Sequence, residues 1–188
     1  LQYATVKKII VGNDPRLHHA FPSAAPCQIG QEYNFGGVFL KVLYPALGSD
    51  LVGNNGSCVV RIESSAGSVL LPGDIEAAGE VLTLDENLEA DVVLGPHHGS
   101  ATSSRESWVE RTHAGVVIFS AAHKNHWGFP NQRVVDRWHA IGATTLCTGT
   151  SGAVRVFFAT TKGAQLSEER LRRRRFWHQP PESSSGCY

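Results

Sequence analysis

The fold that this sequence predicts is decided by two short stretches, Leu70-Leu71-Pro72-Gly73-Asp74 and Val93-Leu94-Gly95-Pro96-His97-His98-Gly99-Ser100. Each is preceded by or begins with an apolar run typical of a buried strand, at residues 68–71 and 91–94. Asp74 and His97 therefore follow strands in neighbouring βα units. Ligands and catalytic groups collect at such strand ends in open α/β sheets. Because carboxylate and imidazole are common ligands of Zn²⁺ and Mn²⁺, the two stretches predict a metal site.

The pattern around these stretches is a β-rich first third followed by alternating strands and helices. This order predicts an α/β sandwich with the sheet inside and the helices outside. Asn131 is the expected N-cap of the clearest helix, and Gly142 is expected to end it. The predicted strands are 6–11, 38–43, 58–62, 68–71, 92–94, 116–119, 144–147 and 154–158, and the predicted helices are 75–84, 103–112 and 131–141.

Length and composition indicate one ordinary domain. Lys plus Arg equals Asp plus Glu, 17 each, so no global charge steers the chain to a polyanion. No apolar run approaches the roughly 20 residues of a membrane span. The sequence contains neither a Gly-x-Ser-x-Gly elbow nor a Gly-rich phosphate loop. The chain begins at Leu1 and has no Met, which predicts a piece of a longer protein.

The C-terminal region differs in composition from the rest. We predict a domain over residues 1–162 and a disordered tail over 163–188, which is arginine-rich and then rich in Pro and Ser. Arg170 and Arg172 to Arg175 place five arginines within six positions. They are either a solvated tail or a binding segment for DNA or anionic lipid.

The candidate site residues each have an ordinary structural alternative. Asp74 is either a metal ligand or the N-cap of the following helix. His97 and His98 either supply a ligand and its neighbour or lie in a surface turn. The hydroxyls after them belong to Ser100, Thr102, Ser103 and Ser104. These hydroxyls are expected to contact a phosphate, and Ser103 or Ser104 is expected to cap the next helix.

A third candidate segment is Ala122-His123-Lys124-Asn125-His126-Trp127-Gly128-Phe129-Pro130, which again follows a predicted strand. His126 is a further candidate ligand. The alternative is a packing loop in which Trp127 and Phe129 are buried anchors.

The four cysteines, Cys27, Cys58, Cys147 and Cys187, form no Cys-x-x-Cys pair, which argues against a cysteine-rich zinc site. They are either separate thiols or include a Cys27–Cys58 disulfide. The disulfide would require an oxidising compartment.

Taken together, these motifs resemble the C-terminal metallo-β-lactamase-like domain of the ComEC family of competence proteins, which are inner-membrane channels for transforming DNA. The resemblance extends from Cys27 to about Phe158. The stretches that carry it are residues 26–31, 37–45, 54–60, 70–76, 90–100 and 125–130.

The resemblance implies an αββα sandwich with a two-metal hydrolytic site. Asp74 would match the metal-bridging aspartate, and His97-His98 would match the later histidine motif. Two divalent metals, Zn or Mn, would promote phosphodiester hydrolysis in the DNA strand that is not imported. The implied partners are DNA, the N-terminal half of the same domain and the membrane channel domain. The implied location is the inner membrane, with this domain facing the periplasm.

Two departures from the family pattern are visible. The hallmark His-x-His/Asp-x-Asp-His occurs nowhere in the chain, so it is expected upstream of Leu1. Many relatives have Gly-His-Pro where this chain has Gly128-Phe129-Pro130. We therefore expect only the C-terminal part of the domain, with possible absence of bound metal and little or no hydrolysis by the chain alone. The rival hypotheses are a stand-alone hydrolase of the same fold with another substrate, and a non-catalytic DNA- or anion-binding module.

Overall fold

The computed structural model describes residues 6–159, 163–173 and 175. Its centre is a seven-stranded mixed sheet in the order β3-β4-β5-β6-β7-β8-β9. The strands are β1 (Ile10–Val11), β2 (Ala25–Pro26), β3 (Glu32–Phe35), β4 (Val38–Tyr44), β5 (Val59–Ser64), β6 (Gly67–Leu71), β7 (Val92–Leu94), β8 (Val116–Phe119), β9 (Thr144–Cys147), β10 (Val154–Ala159) and β11 (Gly163–Glu168).

The pairing of the strands changes from antiparallel to parallel at β6. The pairs from β3 to β6 are antiparallel, whereas β6 to β9 are parallel. Parallel neighbours need crossover connections, and helices supply them here. The helices are α1 (Pro15–Ala20), α2 (Ala77–Leu82), α3 (Glu106–Thr112), α4 (Gln132–Ala140), α5 (Thr148–Ser151) and α6 (Glu169–Arg172), and two 3₁₀ turns cover Gly53–Gly56 and Pro96–Gly99.

The main core lies between the sheet and the helices α2, α3 and α4. Trp108 and Trp138 are fully buried there and meet edge to face, with ring centroids 6.3 Å apart. Helix α4 forms as predicted, because Asn131 accepts from the Arg133 amide and the chain turns at Gly142 with φ +82°. The predicted α/β class is confirmed, and the finer metallo-β-lactamase-like assignment stays a prediction.

The opposite face of the sheet is covered by the antiparallel hairpin of β10 and β11. Phe158 of this hairpin lies so close to Gly67 that a Cβ there would stand 2.1 Å from the Phe158 ring. The hairpin packs on a second cluster of buried residues, which is made of Val92, Val116, Ile118 and Leu146.

The region after Gly163 differs from the disordered tail expected there. Residues 163–168 form β11, because pairing with β10 satisfies their backbone groups and covers the sheet. In the α6 segment, Arg172 and Arg173 form ion pairs with Glu169, and Arg170 donates to the Gly149 carbonyl. Residues 174 and 176–188, with the rest of the predicted tail and Cys187, lie outside the described residues.

No helix is predicted over residues 14–26, but they contain α1, because Asp14 accepts from the Arg16 amide and Pro15 suits the first helical position. The helix expected from Ser103 begins instead at Glu106. Within the described residues, no helix is long and apolar enough to cross a bilayer.

A disulfide joins Cys27, which follows β2, to Cys58, which precedes β5, with Cα atoms 5.9 Å apart. It attaches the N-terminal segment to the sheet, together with the hydrogen bond from the Cys27 amide to the Val11 carbonyl.

A buried polar network is centred on Glu80 in α2. Its carboxylate accepts from the amides of Ser104 and Arg105 and is fully buried. These donors precede α3, which has no side-chain N-cap of its own. Glu80 belongs to α2, but its carboxylate therefore takes the place of an N-cap side chain for α3.

Candidate functional site

The two motifs meet at one edge of the sheet. Because β6 and β7 are adjacent and parallel, the residues that follow them are brought together. The His97 amide donates to the Gly73 carbonyl over 3.1 Å and joins the two loops directly. The convergence expected from the sequence is present.

Asp74 and His98 form the more exposed pair of the site. Asp74 Oδ1 lies 3.5 Å from His98 Nε2, and both side chains are a little under half exposed. The Asp74 amide donates to Ser57 Oγ over 3.1 Å. The alternative of Asp74 as a helix cap is wrong, because the N-cap position of α2 is Glu76.

His97 is turned toward the protein. Its Nδ1 lies 3.2 Å from Glu76 Oε1, but the approach lacks hydrogen-bond geometry, so this buried nitrogen has no hydrogen bond within the described residues. The edge-to-face contact with Phe129 has a centroid distance of 5.7 Å. His97 and His98 are both left-handed, with φ +45° and +55°, which turns the adjacent rings apart. Non-glycine residues in this conformation are strained and collect at functional sites.

Glu76 is held from two sides. Thr102 Oγ1 donates to Oε1 over 2.7 Å, and Asn55 Nδ2 donates to Oε2 over 3.3 Å. Asn55 Oδ1 also accepts from the amides of Glu76 and Gly79, which caps α2. Sequence reasoning missed Glu76 and Asn55 as site residues. The available signals were the Gly-Asp-x-Glu spacing for Glu76 and the Asn-Asn-Gly-Ser stretch for Asn55.

Asn55→Ala removes the cap of α2 and one support of Glu76. We expect the free energy of unfolding to fall by about 1–2 kcal/mol, the usual value for losing an N-cap. Urea denaturation measures it. Asn54→Ala is the matched control, because Asn54 is exposed and lies in the same 3₁₀ turn. Equal stability of the two variants would contradict the capping role.

The predicted phosphate-contacting serines are buried. Ser103 Oγ lies 2.9 Å from the Pro96 and Ser100 carbonyls, and Ser104 Oγ accepts from Trp138 Nε1. Neither caps α3. Ser100 Oγ lies 2.9 Å from Thr102 Oγ1. These hydroxyls therefore make contacts inside the loop that carries His97 and His98, and a contact with phosphate stays a prediction.

The loop after β8 contributes aromatic rings to the same edge. Phe129 reaches His97, but Trp127 is 67% exposed, so its expected role as a buried anchor is wrong. His126 stacks against Trp127 with ring centroids 3.6 Å apart. Within the described residues, no hydrogen bond, ion pair or ring contact joins His126 to Asp74, His97 or His98.

Comparisons with known proteins show that this chain is similar in sequence to parts of much longer proteins. It is 34% identical over 148 residues to the uncharacterized protein YcaI of Escherichia coli, which is 77% of this chain and 20% of that protein. Recombination protein 2 of Haemophilus influenzae is 33% identical over 132 residues, 70% of this chain and 17% of that protein. Competence protein ComA of Neisseria gonorrhoeae is 29% identical over 155 residues, which is 80% of this chain and 22% of that protein.

These relatives support a competence, ComEC-like family. The chain spans about a fifth of the length of the curated relatives it matches. A scan against protein-family models found no match.

The donor set does not fit a complete metal centre of the kind that the ComEC resemblance implies. Within residues 6–159, 163–173 and 175, no three His, Cys, Asp or Glu side chains are arranged to hold a metal ion. The donors instead form two carboxylate–imidazole pairs, Asp74–His98 and Glu76–His97. The exposed pair can hold or move a proton, and the inner pair orients the loop.

Proposed function

We propose that this chain is part of a DNA-internalisation protein and contributes to a nuclease-like domain that hydrolyses phosphodiesters of the non-imported strand. The observation that carries the proposal is the pair of carboxylate–imidazole contacts at the adjoining ends of β6 and β7. The similarity to proteins named for competence and recombination supports DNA as the substrate class.

The exposed pair acts on the substrate. His98 Nε2, beside Asp74, exchanges a proton at a phosphate oxygen or an attacking water. His97 is kept off the substrate by Glu76 and Phe129 and fixes the direction of the loop. Two divalent cations, Zn or Mn, would need ligands beyond those in the described residues, so no step is assigned to them.

The expected result for the 188-residue chain alone is little or no cleavage of DNA in Mn²⁺ or Zn²⁺, because the residues that the structure describes contain no group of three donors arranged for a metal ion. Release of labelled nucleotides from single- and double-stranded DNA measures it. Robust DNA cleavage by the chain alone would contradict the prediction that it needs further metal ligands.

In the full-length natural protein that carries this segment, Asp74→Asn should lower DNA hydrolysis at least about 100-fold, because His98 loses the carboxylate beside the nitrogen that exchanges the proton. The matched control is Asp85→Asn, since Asp85 is exposed. Unchanged hydrolysis in the Asp74 variant would overturn the site assignment. Cleavage of another phosphodiester or of a β-lactam in place of DNA would favour a hydrolase with another substrate.

The proposed location is the periplasmic face of the inner membrane. The bond between Cys27 and Cys58 supports it, since structural disulfides persist in oxidising compartments. The proposed partners are DNA, the N-terminal half of the same domain and a membrane channel domain.

The alternative of a non-catalytic binding module rests on the Arg170–Arg175 segment. Glu169 neutralises part of its charge through Arg172 and Arg173. DNA binding that persists after deletion of residues from Arg170 onward, which leaves β11 in place, would reject this alternative.

A further inference from the structure

The most unusual surface feature beside the site is the aromatic side chain at the tip of the loop after β8. Trp127 is 67% exposed, although tryptophan is among the side chains that gain most from burial. Contiguous exposed apolar patches rimmed by polar residues mark interaction or ligand-binding sites. Trp127 has no role in the proposed hydrolysis.

The ring of Trp127 belongs to a continuous series. Phe129 lies nearly parallel to it, at an interplanar angle of 18° and a centroid distance of 6.3 Å. Phe129 in turn meets His97 edge to face at 5.7 Å, and His126 lies against Trp127 at 3.6 Å. We call His126, Trp127 and Phe129 the aromatic platform. It extends from the candidate site to the exposed tip of the loop.

The backbone around the platform is held in place before any ligand arrives. The Asn125 side chain donates to the carbonyls of Ala122 and Phe129 and accepts from the Phe129 amide. The Asn131 amide donates to the Gly99 carbonyl over 2.8 Å, which ties the loop to the histidine turn. A ligand that stacks on the platform therefore does not have to order the loop first.

The charge of this segment favours an anion. Residues 121–135 contain no Asp or Glu, and Arg133 in this segment is an exposed positive residue. Aromatic rings combined with positive charge are the arrangement that binds single-stranded nucleic acid without strong sequence preference. In a duplex, the bases are stacked on one another and their faces are not available.

We propose that the aromatic platform stacks an unpaired nucleobase, with Trp127 as the main contact, and so makes single-stranded DNA the preferred ligand of this edge. The choice of DNA rests on the proposed function. The stacking itself rests on the exposure and geometry of the rings. Phe129 and His97 connect the platform to the Asp74–His98 pair.

The test measures binding rather than hydrolysis. Fluorescence anisotropy of a labelled oligothymidylate is recorded with the 188-residue chain at low salt and with EDTA, so that no metal-dependent reaction interferes. Trp127→Ala should weaken binding roughly 5- to 150-fold, the range for loss of one stacked base. Trp127→Phe should retain most of the affinity. Phe35→Ala is the matched control, because Phe35 is a comparably exposed aromatic residue on the edge strand β3.

An abasic oligonucleotide of equal length separates stacking from charge. It should bind the unchanged chain more weakly than oligothymidylate does, and Trp127→Ala should not weaken it further. Equal loss of affinity for the abasic strand and for oligothymidylate would overturn the proposal. Absence of any binding to oligothymidylate, or an unchanged affinity after Trp127→Ala, would overturn it too.

Two further outcomes separate the platform from a membrane contact and from the hydrolytic site. Binding of the chain to vesicles containing an anionic phospholipid, lost in Trp127→Ala, together with no binding to oligothymidylate, would identify a membrane contact and overturn the proposal. Trp127-dependent DNA binding with unchanged hydrolysis by the Asp74→Asn full-length protein would support the platform while contradicting the proposed hydrolytic site. Circular dichroism of each variant verifies that the fold is intact.

Discussion

Glu80→Ala should lower the free energy of unfolding by about 3 kcal/mol or more near pH 6. The substitution leaves the buried Ser104 amide without an acceptor, weakens the start of α3 and opens a cavity at a fully buried position. A buried donor without a partner costs about 1–3 kcal/mol, and the cavity adds to it. Urea denaturation measures the loss, and faster hydrogen exchange at the amides of Ser104 and Arg105 would locate it.

The same residue predicts a pH dependence. Burial raises the pKa of Glu80 from 4.5 to about 7, although the amides of Arg105 and Ser104 favour the ionised form. The folded protein therefore holds this proton more tightly than the unfolded chain does. Its contribution to stability is complete below about pH 4.5 and is lost as the pH rises through 7, a change of about 3 kcal/mol.

Glu80→Gln is the matched control for this pH dependence, because glutamine has a similar volume and does not titrate. The stability of the unchanged chain relative to Glu80→Gln should decline between pH 5 and pH 8, as measured by urea denaturation at each pH. A difference that stays constant over this interval would contradict the raised pKa.

The second large effect is expected from the disulfide. Replacing both Cys27 and Cys58 by Ala should lower the free energy of unfolding by about 3–4 kcal/mol. The sequence separation is 31 residues, and closing a loop of that length restricts the unfolded chain by this amount. Guanidinium denaturation measures the loss.

The single variants are the control for the disulfide prediction. Cys27→Ala and Cys58→Ala each break the same bond, so each should cost nearly as much as the double replacement. A loss in the double variant equal to the sum of the two single-variant losses would contradict a stabilising bridge. A loss of stability below about 1 kcal/mol in the double variant would contradict it too. Mass spectrometry of a non-reduced digest should find the two cysteines in one linked pair of peptides.

Much of the fold follows from local patterns in the sequence. The hairpin of β5 and β6, the strands β7 to β9 and the helix α4 lie close to their predicted bounds, because strand and helix periodicity and end signals are local. The start of α3 could not be predicted from Ser103 and Ser104. Its capping acceptor is Glu80, which is 24 residues before Ser104 and belongs to another helix.

The candidate site shows the same division. The spacing of Asp74 and His97 was enough to predict that the two loops meet, since consecutive parallel strands end at one edge. It was not enough to distinguish the two histidines. Their left-handed backbone points His97 toward Glu76 and His98 toward Asp74, and side-chain direction of this kind depends on φ and ψ.

The sequence by itself determined the α/β class, the order of most strands and helices, and the sheet edge where acidic and imidazole groups collect. Only the tertiary structure decided that Asn55 and Thr102 hold Glu76, that Trp127 is exposed and that β11 pairs with β10. The physical reason is the distance along the sequence over which each interaction acts. Periodicity and caps act within a few residues, whereas these contacts join separate segments whose meeting depends on the closure of the whole chain.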